Sequence, residues 1–290
     1  MHNIVRLAVW LLLCSMATFV GAAEGALRTP VKGTSPDSRP SGGLGAGSGA
    51  PTGGDDLAQP SAGGKSPAKL PLTGAVEPPT RLQVSYDVLK GNIRGATITE
   101  TYTRTQDRYH IESVSKAVGL VAMIKPETIR VTSEGALTAK GLRPLTFTNE
   151  RKLDTERNIR ADFDWAANSI TLTDRAGKHT VPLPAGTQDR LSAMYQFMFA
   201  PLKNAATLDF HMTNGSKVDI YNYRITPSQS VTVPLGTFKA LYITSPPKAG
   251  ESRTEIWLAT EHANFPYKMV ITDPDGDKLT QVLTQFDFVP

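Results

Sequence analysis

Histidines, one cysteine and closely spaced carboxylates are the residues of this chain best suited to chemistry. Past the N-terminal apolar run, His110, His179, His211 and His262 are scattered, with no His-x-His pair and no i, i+4 pair. A zinc site needs three or four ligands brought together, so no metal is expected. Asp273-Pro274-Asp275-Gly276-Asp277 has the acid density of a calcium loop. Counted from Asp273, though, Gly276 stands at position four and Thr284 at twelve. An EF-hand loop needs Gly at about six and Glu at about twelve. Asp-Gly between two strand-like runs is instead a hairpin signal. Asp162 and Asp164 lie on one side of a strand pattern and Phe163 and Trp165 on the other. Alternation then puts the carboxylates in solvent, not across a glycosidic bond. Ser192 sits in no Gly-x-Ser-x-Gly elbow and is expected to bond to backbone beside an apolar helix face. No cofactor site emerges. The expectation is a non-enzymatic protein, with a hydrolase assembled from scattered residues as the enzymatic alternative.

The lone cysteine belongs to the address of the chain. His2 and Arg6 precede an almost wholly apolar run from Leu7 to Val20, and Gly21-Ala22-Ala23 supplies small residues before Glu24. This is the layout of an export signal cleaved after Ala23, in residues 1–23. The run is shorter than the roughly 20 residues of a spanning helix, so a retained anchor is the alternative. A lipidated Cys14 would need a small residue before it, and Leu13 stands there. Cleavage would remove Cys14 and leave a mature chain without thiol chemistry. The expected location is the periplasm.

Residues 24–80 hold 12 Gly and 9 Pro in 57 positions, with no Phe, Tyr or Trp and with five basic and five acidic side chains. Such a composition cannot bury enough apolar surface to offset its ordering entropy. It reads as a disordered linker, spanning on the order of 40 Å.

From 81 to 290 the hydrophobic period becomes two, the mark of half-buried strands. Leu82, Val84, Tyr86 and Val88 alternate with polar residues, and Lys90-Gly91-Asn92 makes a turn. Further strands are predicted over 98–104, 109–113, 161–165, 170–172, 217–225, 229–233, 237–244, 253–259, 267–272 and 278–288. The fold class is mainly β: an antiparallel meander forming a strongly curved sheet, a half-barrel or a barrel. One segment departs from this pattern. Leu191, Met194, Tyr195, Met198 and Phe199 recur at helical spacing, which predicts an amphipathic helix over about 187–200. Thr187 is its expected cap, and Pro201 ends it. The sheet would wrap around this helix.

Gln188-Asp189-Arg190-Leu191-Ser192 with Tyr195 forms one stretch of interest. Glu255-Ile256-Trp257-Leu258 through Phe265-Pro266-Tyr267 to Asp275-Gly276-Asp277 forms another. With Tyr86-Asp87-Val88 they resemble the bacterial family called domain of unknown function 3108, over about Leu82 to Phe288. The resemblance implies an exported protein of Gram-negative bacteria and no particular reaction. The β-meander with one helix is also similar, in architecture alone, to periplasmic lipoprotein-carrier half-barrels.

The domain carries 25 basic and 22 acidic residues. This excess is too small for nucleic acid, and the charges between Glu150 and Arg160 are mixed in sign. Peripheral contact with anionic lipid is compatible with it. Val118 to Ile124 is an uninterrupted apolar run between Lys116 and Lys125. It reads either as a short helix covering one mouth of the sheet or as an apolar lip that touches lipid. The expected ligand is lipid-like or a peptide, with Met194, Met198, Trp165, Trp257, Leu120, Val121, Met123 and Ile124 as candidate contacts. A filled core with an envelope protein partner is the other expectation. The two differ in whether the concavity of the sheet is empty.

Overall fold

The computed structural model describes residues 79–246 and 250–289. The expected signal and linker of residues 1–80 lie almost wholly outside them. The described residues form β1 (Arg81–Lys90), β2 (Ile93–Thr105), β3 (Arg108–Ala117), a short helix α1 (Gly119–Ile124), β4 (Thr128–Thr138) and β5 (Gly141–Arg151). Next come β6 (Ile159–Asp164), β7 (Ser169–Asp174), β8 (Gly177–Pro182), β9 (Gln188–Asp189) and the helix α2 (Arg190–Gln196). The chain ends with β10 (Thr207–Thr213), β11 (Val218–Val233), β12 (Gly236–Thr244), β13 (Arg253–Ala259), β14 (Phe265–Thr272) and β15 (Lys278–Val289).

All fifteen strands belong to one sheet, in the order β8-β7-β6-β5-β4-β3-β2-β1-β15-β14-β13-β12-β11-β10-β9. The first and last strands pair at its centre, with Leu82 opposite Phe288 and Val84 opposite Phe286. Among the described strands only β9 pairs in parallel, with β10. The free edges are β8 and β9, so hydrogen bonds do not close the sheet. Yet Pro182 at the end of β8 and Gln188 at the start of β9 are joined by a short connection. Six residue steps span at most about 20 Å. Fifteen flat strands would be roughly 65 Å across at the usual spacing. The sheet therefore curls until its edges approach, and α2 touches β3, β4, β5, β10 and β14.

The interior is packed with side chains. Tyr102, Phe147, Tyr195, Phe265 and Tyr267 are fully buried in one cluster that also takes in Met194, Met198 and Trp165. A second cluster gathers Phe197, Leu202, Tyr223, Ile243, Ile256 and Leu258, again against Met194.

Three local expectations are corrected. The helix is shorter than 187–200, because Asp189 caps it and residues past Gln196 tighten into i→i+3 bonds: Met198 N to Tyr195 O and Phe199 N to Gln196 O. The cap is Asp189, not Thr187, whose hydroxyl donates to Pro184 O. The two strands predicted over 217–225 and 229–233 are one strand, β11, bent by a register shift between Thr226 and Gln229.

Candidate functional site

The segment that enters α2 is fixed from three sides. Asp189 stands in extended backbone, and its Oδ1 accepts from Leu191 N and Ser192 N at 2.9 and 2.7 Å. Ser192 closes a capping box by accepting from Asp189 N through its Oγ at 3.0 Å, the backbone bonding its position predicts. From the sheet, Ser133 Oγ donates to Asp189 Oδ2 at 2.6 Å and is 3.1 Å from Tyr109 Oη. Burial pushes the Asp189 carboxyl up, and these donors work against the shift.

One turn further, Tyr195 Oη donates to Glu100 Oε2, and Ser113 Oγ donates to Glu100 Oε1, both at 3.1 Å. Tyr195 also stacks on Tyr102, with centroids 5.7 Å apart. Burial lifts the Glu100 carboxyl to about 7, against the pull of its two hydrogen bonds. The alternation Ile98, Glu100, Tyr102 places this acid on the inner face of β2, a signal present in the sequence and easily lost among the threonines.

Two glutamines clamp the β4–β5 hairpin to this helix. Gln188 Nε2 donates to Leu142 O at 2.9 Å. Gln196 accepts from Leu142 N and donates to Lys140 O, both at 2.8 Å. Between the hairpin, the C-terminal end of α2 and β10 lies a cleft of about 670 Å³. Its apolar wall is built from Trp165, Phe197, Phe199, Ala200, Leu208 and Phe210, and Lys140 and Arg143 stand at its rim. Trp165 is held by its Nε1, which donates to Pro144 O at 2.6 Å, and the Arg143 guanidinium lies 5.0 Å from its ring centre. Phe210 is backed by Tyr223, stacked at 6.0 Å, and by the edge of Phe197 at 6.4 Å.

Of the sequence candidates, only Trp165 lines this cleft. Met194 and Met198 pack into the core clusters. Trp257 lies beside Tyr242 and Lys268, 4.9 and 5.1 Å away, on the face of β13 opposite Ile256 and Leu258. Leu120, Met123 and Ile124 project from α1, while Val121 is buried beneath it. Phe199 was legible as part of the helix face. Leu208 and Phe210 fall on β10, a strand whose apolar residues alternate with Asp209 and His211 and which the sequence reading missed.

The remaining motifs are turns and surface pairs. Asp273 Oδ1 accepts from Asp277 N at 2.8 Å and Asp273 O accepts from Gly276 N at 3.0 Å, which builds the β14–β15 turn. Asp162 accepts two hydrogen bonds from Arg160 on the exposed face. His110 pairs with Glu134 in solvent, and His262 is buried against Tyr267. Among the described residues no three metal-ligating side chains converge.

No curated protein matches the chain. Two solved structures are similar in arrangement. One is a candidate lipoprotein from Parabacteroides distasonis, with TM-score 0.32 and 9% identity, covering 72% of this chain and 96% of its own. The other is a candidate exported protein with a YmcC-like fold from Bacteroides fragilis, with TM-score 0.34 and 10% identity, covering 71% and 95%. The family model for the protein of unknown function DUF3108 matches residues 82–284, a span that holds the α2 latch, the glutamine clamps and both walls of the cleft, and the chain belongs to that family.

Proposed function

We propose that this chain is an exported, non-enzymatic protein of the bacterial envelope that binds a lipid-like amphiphile. In this reading the sheet is a half-barrel around α2, and the ligand lies in the cleft at the end of the helix. The observation that carries it is the pairing of an aromatic and aliphatic wall with two rim cations, Lys140 and Arg143. An acyl chain fits the wall and an anionic headgroup fits the rim. A volume of about 670 Å³ falls within the roughly 300–1,000 Å³ of ligand sites. The described residues lining the cleft include no His, Asp, Glu, Ser or Cys, which supports binding over catalysis. The export signal read in residues 1–23 supports the address.

Native mass spectrometry of the protein, purified under mild conditions from an envelope fraction, tests this. A co-purifying amphiphile, together with a lipid-dependent rise in melting temperature, is expected. Clean apo protein with no such rise would sink the reading. The filled interior favours a second reading, an interaction module with an envelope partner, because the concavity around Met194 and Met198 is occupied by the protein's own side chains. Crosslinking in the envelope that captured a defined partner, with the cleft ligand-free, would support it.

A further inference from the structure

We propose that the end of the sheet bearing α1 docks on the surface of an anionic lipid bilayer. Ile93 (57% exposed), Leu120 (61%), Met123 (81%), Ile124 (52%) and Leu153 (58%) are five of the seven large apolar side chains that stand exposed among the described residues. The fold brings their segments to one end. Antiparallel pairing puts the β1–β2 turn, the β3–β4 connection and the β5–β6 connection on the same side of the ladder. Two backbone bonds tie these segments together: Val118 N to Gly95 O at 3.0 Å and Lys152 N to Thr128 O at 3.4 Å. The helix is held down by Val121, which is buried, so its other apolar side chains project.

The composition of the tip selects the occupant. Its exposed apolar side chains include no aromatic anchor, the kind of residue that concentrates energy in protein interfaces. It presents separate aliphatic side chains, each able to enter the acyl boundary of a bilayer. Cations flank it. Lys116 and Lys152 are exposed and have no acidic partner among the described residues, while Lys125 lies 3.5 Å from Glu127, whose carboxylate is turned inward. Basic residues beside an apolar tip favour anionic headgroups. Among the described residues neither α1 nor α2 is long and apolar enough to cross a membrane. The cleft lies at the other end of β5, about 35 Å away at the usual rise per residue, so docking and ligand binding can be tested separately.

The test uses residues 24–290, the chain left by the export signal read in residues 1–23 and so free of Cys14, with an environment-sensitive fluorophore on Met123→Cys. A second chain carries the label at Gln106→Cys, in the β2–β3 turn at the opposite end. Vesicles of phosphatidylcholine, with and without phosphatidylglycerol, are added. A blue shift from position 123 with anionic vesicles, weakened by salt and absent from position 106, is expected. In co-sedimentation the Met123→Asp, Ile124→Asp double variant should lose about tenfold in vesicle partitioning, as expected for removing two inserted apolar side chains, with an unchanged melting temperature. No shift, an equal shift from both labels, or wild-type partitioning of the double variant would each overturn the proposal. Dimerisation abolished by that variant without vesicle binding would also overturn it, by assigning the tip to a second copy of the chain.

Discussion

Ser133 Oγ donates to Asp189 Oδ2 at 2.6 Å, joining the middle of β4 to the residue that caps α2. Both side chains are fully buried. Asp189 thus serves the helix with one oxygen and the sheet with the other. Removing it leaves two helix N–H groups and the Ser133 hydroxyl without their acceptor. Lost caps cost about 1 kcal/mol and each unsatisfied buried group about 1–3 kcal/mol. Asp189→Ala is therefore expected to cost roughly 3–4 kcal/mol, read as a fall in melting temperature of about 6–16 °C. Ser133→Ala should cost less than half of that. Equal losses in chemical denaturation would show that Asp189 acts through the Ser133 contact alone.

Glu100 gives the fold a pH dependence of unusual sign. Its ordinary pKa of 4.5 rises to about 7 on folding, because burial disfavours the carboxylate more than Ser113 and Tyr195 favour it. The folded state holds this proton more tightly than the unfolded one. Its contribution is fully present at acid pH, is lost as pH rises from about 4.5 to 7, and is gone above that. The loss is of order 3 kcal/mol. Glu100→Gln keeps an acceptor for Tyr195 and removes the titration. The variant should match the wild type at pH 4.5 and be more stable at pH 8, as measured by urea unfolding at both values. Parallel behaviour at the two pH values would show that Glu100 titrates as an exposed acid does.

How much of this was legible follows from the range of each interaction. Strands with clean alternation, such as β1 around Val84 and Tyr86 and β13 around Ile256 and Leu258, could be read because period two is a local signal. The Asp273–Asp277 turn could be read for the same reason. The shorter helix could not, because the apolar period of Met198 and Phe199 continues past Gln196 while the backbone tightens there. The cleft was legible only in part. Trp165 and Phe199 sit in patterned segments, but Leu208 and Phe210 join them through the β10–β11 pairing, and Lys140 and Arg143 through the glutamine clamps. The clamp partners lie 46 and 56 residues apart, and no local pattern records which of them meet.

Gly135 is a sharper case of the same limit. It sits at the register shift of β4, where a Cβ would lie 2.2 Å from Arg143 O and 2.8 Å from Tyr109 Cε1. The first of these is backbone and cannot rotate away. Gly135→Ala is expected to cost about 2–3 kcal/mol through overpacking, despite alanine's better conformational entropy. A melting temperature equal to the wild type's would mean that the β4–β5 ladder slides to make room.

The two halves of the cleft separate the contributions of an amphiphile's two ends. Arg143 is exposed and stands over Trp165, so its charge is available to a headgroup while its removal disturbs little packing. Phe210 forms part of the wall and is braced by Phe197 and Tyr223. Arg143→Glu should weaken binding of a dodecyl phosphate probe about tenfold, as expected for reversing one charge-assisted contact, and should leave dodecanol unaffected. Phe210→Ala should weaken both probes alike, because the acyl chain is common to them. Isothermal titration of the four pairs reads this directly. If Arg143→Glu weakens both probes equally, the headgroup does not meet the rim, and the ligand enters the cleft the other way round.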